Sequence, residues 1–322
     1  MRSLVLGGVL LVFSALPPAQ AQDYPAKQVT FVLPFAAGGA IDLAARYFAQ
    51  KLTDRLGKPF VVENKPGAGT VVASNLVAKA VPDGYTILVA PSPLATNATL
   101  YKQLPYDPAK DFAPIARVAD IPFVLVVHPS LPVRTVPELI QYAKQRAGQL
   151  TYASSGSGTT LHLAGELFKS MTGTQMTHVP YRGSPPALND VVAGHVNLMF
   201  ADPASAVAQI RQGNVRPLGV SSLTRIPTAP DIAPIAEVGL PGFEAVSWTL
   251  FVAPAATPPA IVTKLNAELK AIVASPEGQQ QIIGFGMQPF NSPSPEELKK
   301  FLQTEIQRWG KVVQQAGLAG SE

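Results

Sequence analysis

The sequence repeats one pattern: a short apolar run, a turn rich in glycine or proline, and a longer stretch with helical spacing of its apolar residues. Strands that alternate with helices predict a mainly parallel sheet covered by helices on both faces. The pattern forms two series that match in order and spacing. The first predicts strands at 28–35, 59–64 and 85–92 and helices at 40–57, 69–84 and 93–102. The second predicts strands at 150–155, 176–181, 196–202 and 215–222, a turn and helix within 156–173, and helices at 184–195 and 203–213.

Two further segments resemble each other and flank the second series. "FVLVVHPSLPVRTVPELIQYAKQ" (123–145) and "TLFVAPAATPPAIVTKLNAELK" (249–270) each combine an apolar strand, a proline-rich turn and a helix. Such strands are natural crossings between two domains, so we expect the second series to be inserted into the first domain. The predicted limits are 22–123 and 221–322 for the first domain and 124–220 for the inserted domain.

The stretch 294–317, "SPEELKKFLQTEIQRWGKVVQQAG", carries apolar residues at helical spacing. We expect this amphipathic helix to pack on the first domain. A helix that binds a partner protein is the alternative.

The first residues have the pattern of a targeting signal. Arg2 precedes the apolar run 4–16, which is short for a membrane span, and "AQA" at 19–21 has the small-x-small form that signal peptidase cleaves. This predicts a signal peptide at 1–21 and a mature protein without membrane insertion. The alternative is a retained N-terminal anchor helix.

Composition excludes several classes of function. The chain has no cysteine, which rules out disulfides, thiol catalysis and thiolate metal sites. The net charge is +4, but the basic residues are spread along the chain without a Lys/Arg run, so we expect no nucleic-acid partner. The four histidines are too scattered for metal-ligand spacing, and we expect neither a metal nor a cofactor.

The first strand-to-helix turn of each predicted domain is the candidate binding element. In open α/β sheets, ligands bind outside the carboxyl ends of the strands. The turns "FAAGGAID" (35–42) and "SSGSGTT" (154–160) both lie there. Glycine allows close approach of the backbone to a ligand, and the following helix presents free N–H groups and a positive dipole end. Each turn is therefore a candidate anion site.

Several polar side chains follow strands at the same edge. The serines and threonines of the second turn offer hydroxyl groups, with helix capping as the alternative for each. His162 either donates to a ligand or braces this turn. The ion pair expected between Asp42 and Arg46, four residues apart on one helix, is assigned a structural role. The other candidates that follow strands are Ser92, Asn97, Ser155, Ser157, Thr159, Thr160, Tyr181 and Asp202.

The residues of the two turns favour a carboxylate over a nucleotide as the bound anion. The phosphate-binding pattern G-x-x-x-x-G-K-[ST] and a strict G-x-G-x-x-G are absent, and neither turn contains lysine. The G-x-S-x-G motif of esterases is also absent, and no histidine has an evident nucleophile and orienting group. Two neutral turns facing one another suit a small molecule with one carboxylate or with one at each end.

Segments along the mature chain resemble one family. They include "VTFVLPFAAGGAIDLAAR", "VVENKPGAGT", "DGYTILVA", "YDPAKDFAPIARV", "TYASSGSGTTLHLAGELFK" and "VPYRGSPPALNDVVAGHVNLMF". Together they are similar to the Bug family, the periplasmic substrate-binding proteins of tripartite tricarboxylate transporters. The resemblance implies an α/β, two-domain Venus-flytrap fold of the type II periplasmic binding protein kind, with a ligand cleft between the domains and no catalysis.

The resemblance also implies site residues and ligands. Family ligands are di- and tricarboxylates, acidic amino acids and aromatic acids, gripped by the first turn of each domain. This carries over to Phe35, Ala37, Gly38, Gly39, Ser157, Gly158, Thr159, Thr160 and His162. One position departs from the family pattern: Ala201 follows Phe200 where an Asp is common, and the acid comes next, at Asp202. A carboxylate without an amino or hydroxyl group is therefore favoured.

The predicted function is a monomeric solute-binding protein of a Gram-negative periplasm. It would capture a small organic carboxylate by hinged closure and deliver it to the subunits of a membrane transporter. A subunit that presents its ligand to a signalling protein is one alternative, and a hydrolase or lyase that uses the same cleft is another.

Overall fold

The computed structural model describes residues 24–35 and 37–322, and the predicted signal peptide at 1–21 lies outside them. Two β-sheets carry eleven helices in the described part of the chain. The strands are β1 Val29–Leu33, β2 Phe60–Asn64, β3 Thr86–Ala90, β4 Phe112–Ile121, β5 Val124–Val127, β6 Thr151–Ser154, β7 Thr177–Pro180, β8 Leu198–Ala201, β9 Arg216–Val220, β10 Ser247–Pro254 and β11 Gln288–Pro289. The helices are α1 Ala40–Leu56, α2 Val71–Ala78, α3 Pro93–Leu100, α4 Val136–Gln145, α5 Thr160–Thr172, α6 Ser184–Val192, α7 Pro203–Arg211, α8 Ile235–Val238, α9 Pro259–Ala274, α10 Pro276–Gly284 and α11 Pro295–Gln315.

Both sheets are mixed, and the same arrangement appears in each. The first sheet has the order β11-β4-β10-β3-β1-β2, with β1 parallel to β2 and β3 and with β10 antiparallel to β3 and β4. The second has the order β7-β6-β8-β5-β9, with β6 parallel to β7 and β8 and with β5 antiparallel to β8 and β9. The strands that open each predicted series are therefore parallel, and antiparallel strands complete each sheet.

The internal repeat of the sequence explains the matching orders. Strand β5 follows β4 of the first sheet but pairs in the second, and β10 follows β9 of the second sheet but pairs in the first. These are the two segments that resemble each other in sequence, and they occupy equivalent positions. All strands of the second sheet lie between Val124 and Val220. The limits of the inserted domain at 124–220 remain a prediction.

Four elements were not expected from the sequence, and α2 is much shorter than the helix predicted at 69–84. Strand β4 contains Pro114, Arg117 and Asp120, which obscure its apolar pattern, and α8 and β11 are short. Helix α10 has nine residues, but a glycine and three glutamines occupy its middle in place of an apolar stripe. Helix α2 ends at Ala78, and a 3₁₀ turn at Ala68–Thr70 precedes it in place of α-helix. Consecutive left-handed residues in that turn are incompatible with an α-helix.

Helix α11 packs on the first sheet, as expected for the amphipathic tail, and also touches α5. Its N-terminus has a capping box formed by Ser294 and Glu297. The buried Glu305 carboxylate accepts hydrogen bonds from the indole N–H groups of Trp248 at 2.9 Å and Trp309 at 3.0 Å. Both tryptophans of the chain therefore meet at one carboxylate, which fixes α11 against β10.

Candidate ligand-binding site

The first turn is held in shape by one buried carboxylate. Asp42, in the first turn of α1, is 2% exposed and accepts from the Gly38 N–H at 3.0 Å. Arg46 binds the same carboxylate through two N–H groups, at 3.0 and 3.1 Å. Asn64, at the end of β2, donates to Asp42 and also to the carbonyl of Phe35, both at 2.9 Å. The pair expected on the helix surface is thus buried on its acidic side and ties the turn to two elements.

This arrangement divides the predicted first-turn residues into two roles. The Gly38 N–H is used by Asp42, so its part is to shape the turn, and its φ of +95° is one that favours glycine. Gly39 is the N-cap of α1 and has extended backbone, and no side chain caps this helix within the described structure. The first N–H groups of α1 therefore remain available to an anion. Phe35 and Ala37 are exposed beside them.

The second turn is stabilised by a residue of its own, Thr159, and by His162 in the first turn of α5. Thr159 is the N-cap of α5, where its hydroxyl accepts from the His162 N–H at 3.4 Å and donates to the carbonyl of Gly156 at 2.7 Å. The Gly158 N–H donates to Nδ1 of His162 at 3.0 Å. The His162 ring is 3% exposed, and burial, together with the nearby charge of Lys169, lowers its pKa to about 4. In this structure the histidine braces the turn.

Helix α3 of the first sheet contacts the second turn directly. The hydroxyls of Ser92 and Thr160 are 2.5 Å apart, and Ser92 also bonds Ser247 at the start of β10. Gly158 packs so close to Leu100 that a Cβ built on the glycine lies 2.1 Å from a Leu100 methyl carbon. The structure therefore brings together three of the predicted site residues, Ser92, Gly158 and Thr160. All three lie where the α3 region, which packs on the first sheet, meets the second turn, which follows β6 of the second sheet.

A third loop at the same edge was missed as a candidate. Four consecutive residues, Gly67 to Thr70, have positive φ values between 42° and 138°, including the non-glycine residues Ala68 and Thr70. Asn97 donates to the Gly69 carbonyl at 2.8 Å and to the Thr70 hydroxyl at 3.3 Å, and Tyr101 donates to the Ala68 carbonyl. Asn97 thus holds this loop. The signal in the sequence was "KPGAGT" directly after a predicted strand.

The remaining candidates occupy the rim of the second sheet. Tyr181 directs its hydroxyl to Asp190 of α6 at 2.5 Å, and burial together with this bond raises its pKa to about 12. Asp202 is the N-cap of α7, and burial raises the pKa of its carboxyl. The buried Ser184 oxygen makes no hydrogen bond in the described structure. Ser155 is half-buried and Ser157 is exposed on the second turn.

The described residues meet neither the requirements of a metal site nor those of a membrane-spanning helix. No group of three His, Asp or Glu side chains among them is arranged to hold a metal ion. None of the described helices combines the length and apolarity that a membrane span requires.

Comparison with known proteins identifies the family. Residues 44–318 match the sequence model for the tripartite tricarboxylate transporter family receptor, TctC. The chain belongs to this family. The receptor is similar in structure to a Rhodopseudomonas palustris protein solved with adipate, with 40% identity and a TM-score of 0.82 over 92% of this chain and 99% of that one.

Two further structures support the assignment of fold. The periplasmic binding protein BugD is 36% identical, with a TM-score of 0.79 over 92% of the receptor and 99% of BugD. The protein MatC from Rhodopseudomonas palustris, solved with malate, is 33% identical, with a TM-score of 0.78 over 90% of the receptor and all of that chain. The receptor therefore has the α/β fold of two-domain periplasmic binding proteins. Members of this family are solute-binding receptors rather than enzymes, which confirms that expectation.

Proposed function

We propose that the receptor captures a small dicarboxylate in the periplasm and delivers it to a tripartite tricarboxylate-type membrane transporter. The observation that carries the proposal is the first turn, where Asp42, Arg46 and Asn64 fix the backbone while the N-terminus of α1 stays without a side-chain cap. A rigid, uncapped helix end binds an anion without first having to be ordered. The adipate and malate of the two Rhodopseudomonas palustris structures support a dicarboxylate.

The ligand would contact both turns. In the proposed mode one carboxylate meets the first N–H groups of α1, and Ser155, Ser157 and Thr159 offer polar groups on the second turn. Hydrogen bonds to a charged group contribute about 1.5–3 kcal/mol each. Four of them at the upper end of this range total about 12 kcal/mol, and an association cost of about 4 kcal/mol leaves the roughly 8 kcal/mol of micromolar affinity. Phe35, a large apolar side chain that is 36% exposed, would cover the carbon chain of the ligand.

Ligand binding between the two turns would also close the two domains on each other. The chain passes between the sheets twice, from β4 to β5 and from β9 to β10. Hinged motion about such crossings is one of the known modes of domain closure. Ligand that bridges the two turns would favour the closed form, which is the form a membrane partner distinguishes from the open one. The monomeric state belongs to this proposal.

A panel of organic acids tests the ligand class. Ligands that bind only the folded state raise the melting temperature. We expect adipate, malate or another small dicarboxylate to raise it, and monocarboxylates of equal chain length to raise it less. Calorimetry then measures affinity for the receptor and for Gly39→Val. A panel in which amines or sugars stabilise the receptor while dicarboxylates do not would contradict the proposal.

Delivery to a transporter is tested separately from binding. Deleting the gene should abolish growth-supporting uptake of the identified acid, and a chromosomal copy should restore it. If uptake persists while transcription in response to the acid is lost, the receptor serves as the ligand-presenting subunit of a signalling system instead.

A further inference from the structure

Two histidines are stacked beneath the second turn. The rings of His162, from α5, and His178, from β7, have centroids 3.7 Å apart and planes inclined by 10°. Tyr152 of β6 lies against both, with centroids 5.0 Å from His178 and 6.2 Å from His162. Two imidazoles in van der Waals contact cannot both carry a proton without strong repulsion. The stack is therefore built for neutral rings.

Each ring holds a different part of the turn. His162 accepts the Gly158 N–H on Nδ1 at 3.0 Å, so in its neutral form its own proton is on Nε2. Nε2 of His178 is 2.6 Å from the Ser154 hydroxyl. That hydroxyl in turn accepts the Gly156 N–H at 3.1 Å. The pair thus supports the backbone from Ser154 to Gly158.

The charges around the pair leave it uncompensated. Glu166, one turn after His162 on α5, has an oxygen 3.8 Å from Nε2 of His162. Its carboxylate is already engaged by Lys169 at 2.7 and 2.9 Å and by the Tyr152 hydroxyl. Asp190, the acid of the neighbouring α6, is paired with Tyr181 and His195 instead. Burial and the charge of Lys169 lower the pKa of His162 to about 4. Burial, the neighbouring His162 and Lys169 lower the pKa of His178 to about 4 as well, although Glu166 acts in the opposite direction there.

We propose that His162 and His178 are positioning residues that hold the second turn in its binding shape only while both rings are neutral, so that acid weakens ligand binding. The proposal rests on the proposed function of the turn. A proton on Nδ1 of His162 would face the Gly158 N–H, donor against donor, and the hydrogen bond would be lost. The charge would also lie in contact with the second ring. The turn between Ser154 and Thr160 would then shift away from the ligand.

The free protein tests the pair without any ligand. Nuclear magnetic resonance follows the ring carbon-bound protons of the four histidines and the Gly158 amide against pH. We expect both stacked rings to stay neutral down to about pH 5, with the Gly158 amide shifting together with His162. In His162→Asn the pKa of His178 should rise, because the His162 ring is one of the groups that lower it. Rings that titrate independently with ordinary pKa values would overturn the inference.

Binding is then compared between matched variants with adipate and malate as probes. His162→Asn keeps an acceptor near Nδ1 and cannot be protonated, so its affinity at pH 7 should stay within about threefold of the unmodified receptor. His162→Ala should bind about tenfold more weakly, as expected for one lost buried hydrogen bond. His195→Asn, at an exposed ring, is the control.

The pH profile decides between positioning and mere packing. Comparing proteins at equal pH cancels the titration of the probe itself. Between pH 6 and pH 4 the unmodified receptor and His195→Asn should lose about threefold more affinity than His162→Asn/His178→Gln, which has no ring left to protonate in the stack. Circular dichroism confirms that all three stay folded. Equal losses in all three would overturn the inference. If neither probe binds at pH 7, the proposed ligand class fails, while the titration of the free protein still judges the histidine pair.

Discussion

At the scale of the residue, Asp42 shows how one side chain prepares a binding turn. Burial raises the pKa of its carboxyl, but hydrogen bonds from Arg46, Asn64 and the Gly38 N–H outweigh burial and leave the pKa below its usual value. The charged form is therefore favoured in the folded protein. Its stabilising contribution is present at neutral pH and is lost as the pH falls through the lowered pKa. The first turn should accordingly be well ordered at any pH near neutrality.

Two glycines of the turns should respond differently to a side chain. Gly39 has a φ of −81°, and a Cβ built there meets nothing within 4 Å. Gly39→Val should keep the melting temperature within about 2 °C, because the residue has room and an ordinary conformation, yet lower ligand affinity at least tenfold by blocking the end of α1.

Gly158 should instead affect the fold. Its φ is +73°, and an added Cβ collides with Leu100. Gly158→Ala should lower the free energy of unfolding by about 1–3 kcal/mol. Urea denaturation measures both variants, and the double variant Gly158→Ala/Leu100→Ala shows whether the collision accounts for the loss. A Gly158→Ala protein as stable as the unmodified receptor would contradict the close packing of Gly158 on Leu100.

At the scale of the element, α3 contacts both the second turn and the loop Gly67–Thr70, whose residues all have positive φ and which we call the left-handed loop. Its N-cap residue Ser92 bonds Thr160, its middle residue Asn97 holds the left-handed loop, and its last residue Leu100 packs on Gly158. Left-handed conformations at Ala68 and Thr70 cost about 1–3 kcal/mol each and persist only where the surroundings enforce them. A short helix that enforces strain at a candidate site is expected to control its shape.

Asn97→Ala tests this role of α3. The substitution removes both hydrogen bonds to the loop and leaves the Gly69 carbonyl without its side-chain donor. We expect the free energy of unfolding to fall by about 1–3 kcal/mol and ligand affinity to fall as the loop relaxes. Asn189→Ala, at an exposed position of α6, is the matched control. If a folded Asn97→Ala protein kept its ligand affinity, the shape of the loop would have no influence on binding.

At the scale of the whole molecule, the two sheets share one plan and are joined by two crossings. Each crossing delivers a strand that pairs antiparallel inside the other sheet, so both connections are anchored in core rather than in loose linker. The contact between α3 and the second turn lies at the same place, where Ser92 also bonds Ser247 of β10. Closure would pivot near this contact.

Ligand addition should therefore make the molecule more compact. Small-angle scattering should show a smaller radius of gyration with saturating dicarboxylate. With ligand at about ten times the receptor's dissociation constant, Gly39→Val should show at most about half of this change, because its tenfold weaker affinity leaves about half of it without ligand. The emission of Trp248 and Trp309, which meet at Glu305 beside β10, gives a second readout. An unchanged radius of gyration in a receptor that calorimetry shows to be saturated would exclude closure.

Local pattern alone determined most of the elements, the internal repeat and the two turns. Apolar periodicity, glycine at helix ends and the matched segments at 123–145 and 249–270 are properties of neighbouring residues, so they predicted β1, α1, β6 and α5 closely. The strand β4 was missed because its partner, β10, lies far away in the chain and because charged residues interrupt its apolar run. Residue motifs also sufficed to indicate the family.

Only the tertiary structure decided what each candidate side chain contacts. Ser92, Asn97, Thr160 and His162 are polar residues at the predicted edge, yet the partners of Ser92 lie up to 155 residues away, at Ser247, and come from other elements. A hydroxyl or imidazole can face a ligand or a backbone group equally well in a sequence. The choice depends on distances that folding alone sets, which is why the stacked histidines and the left-handed loop emerged only in three dimensions.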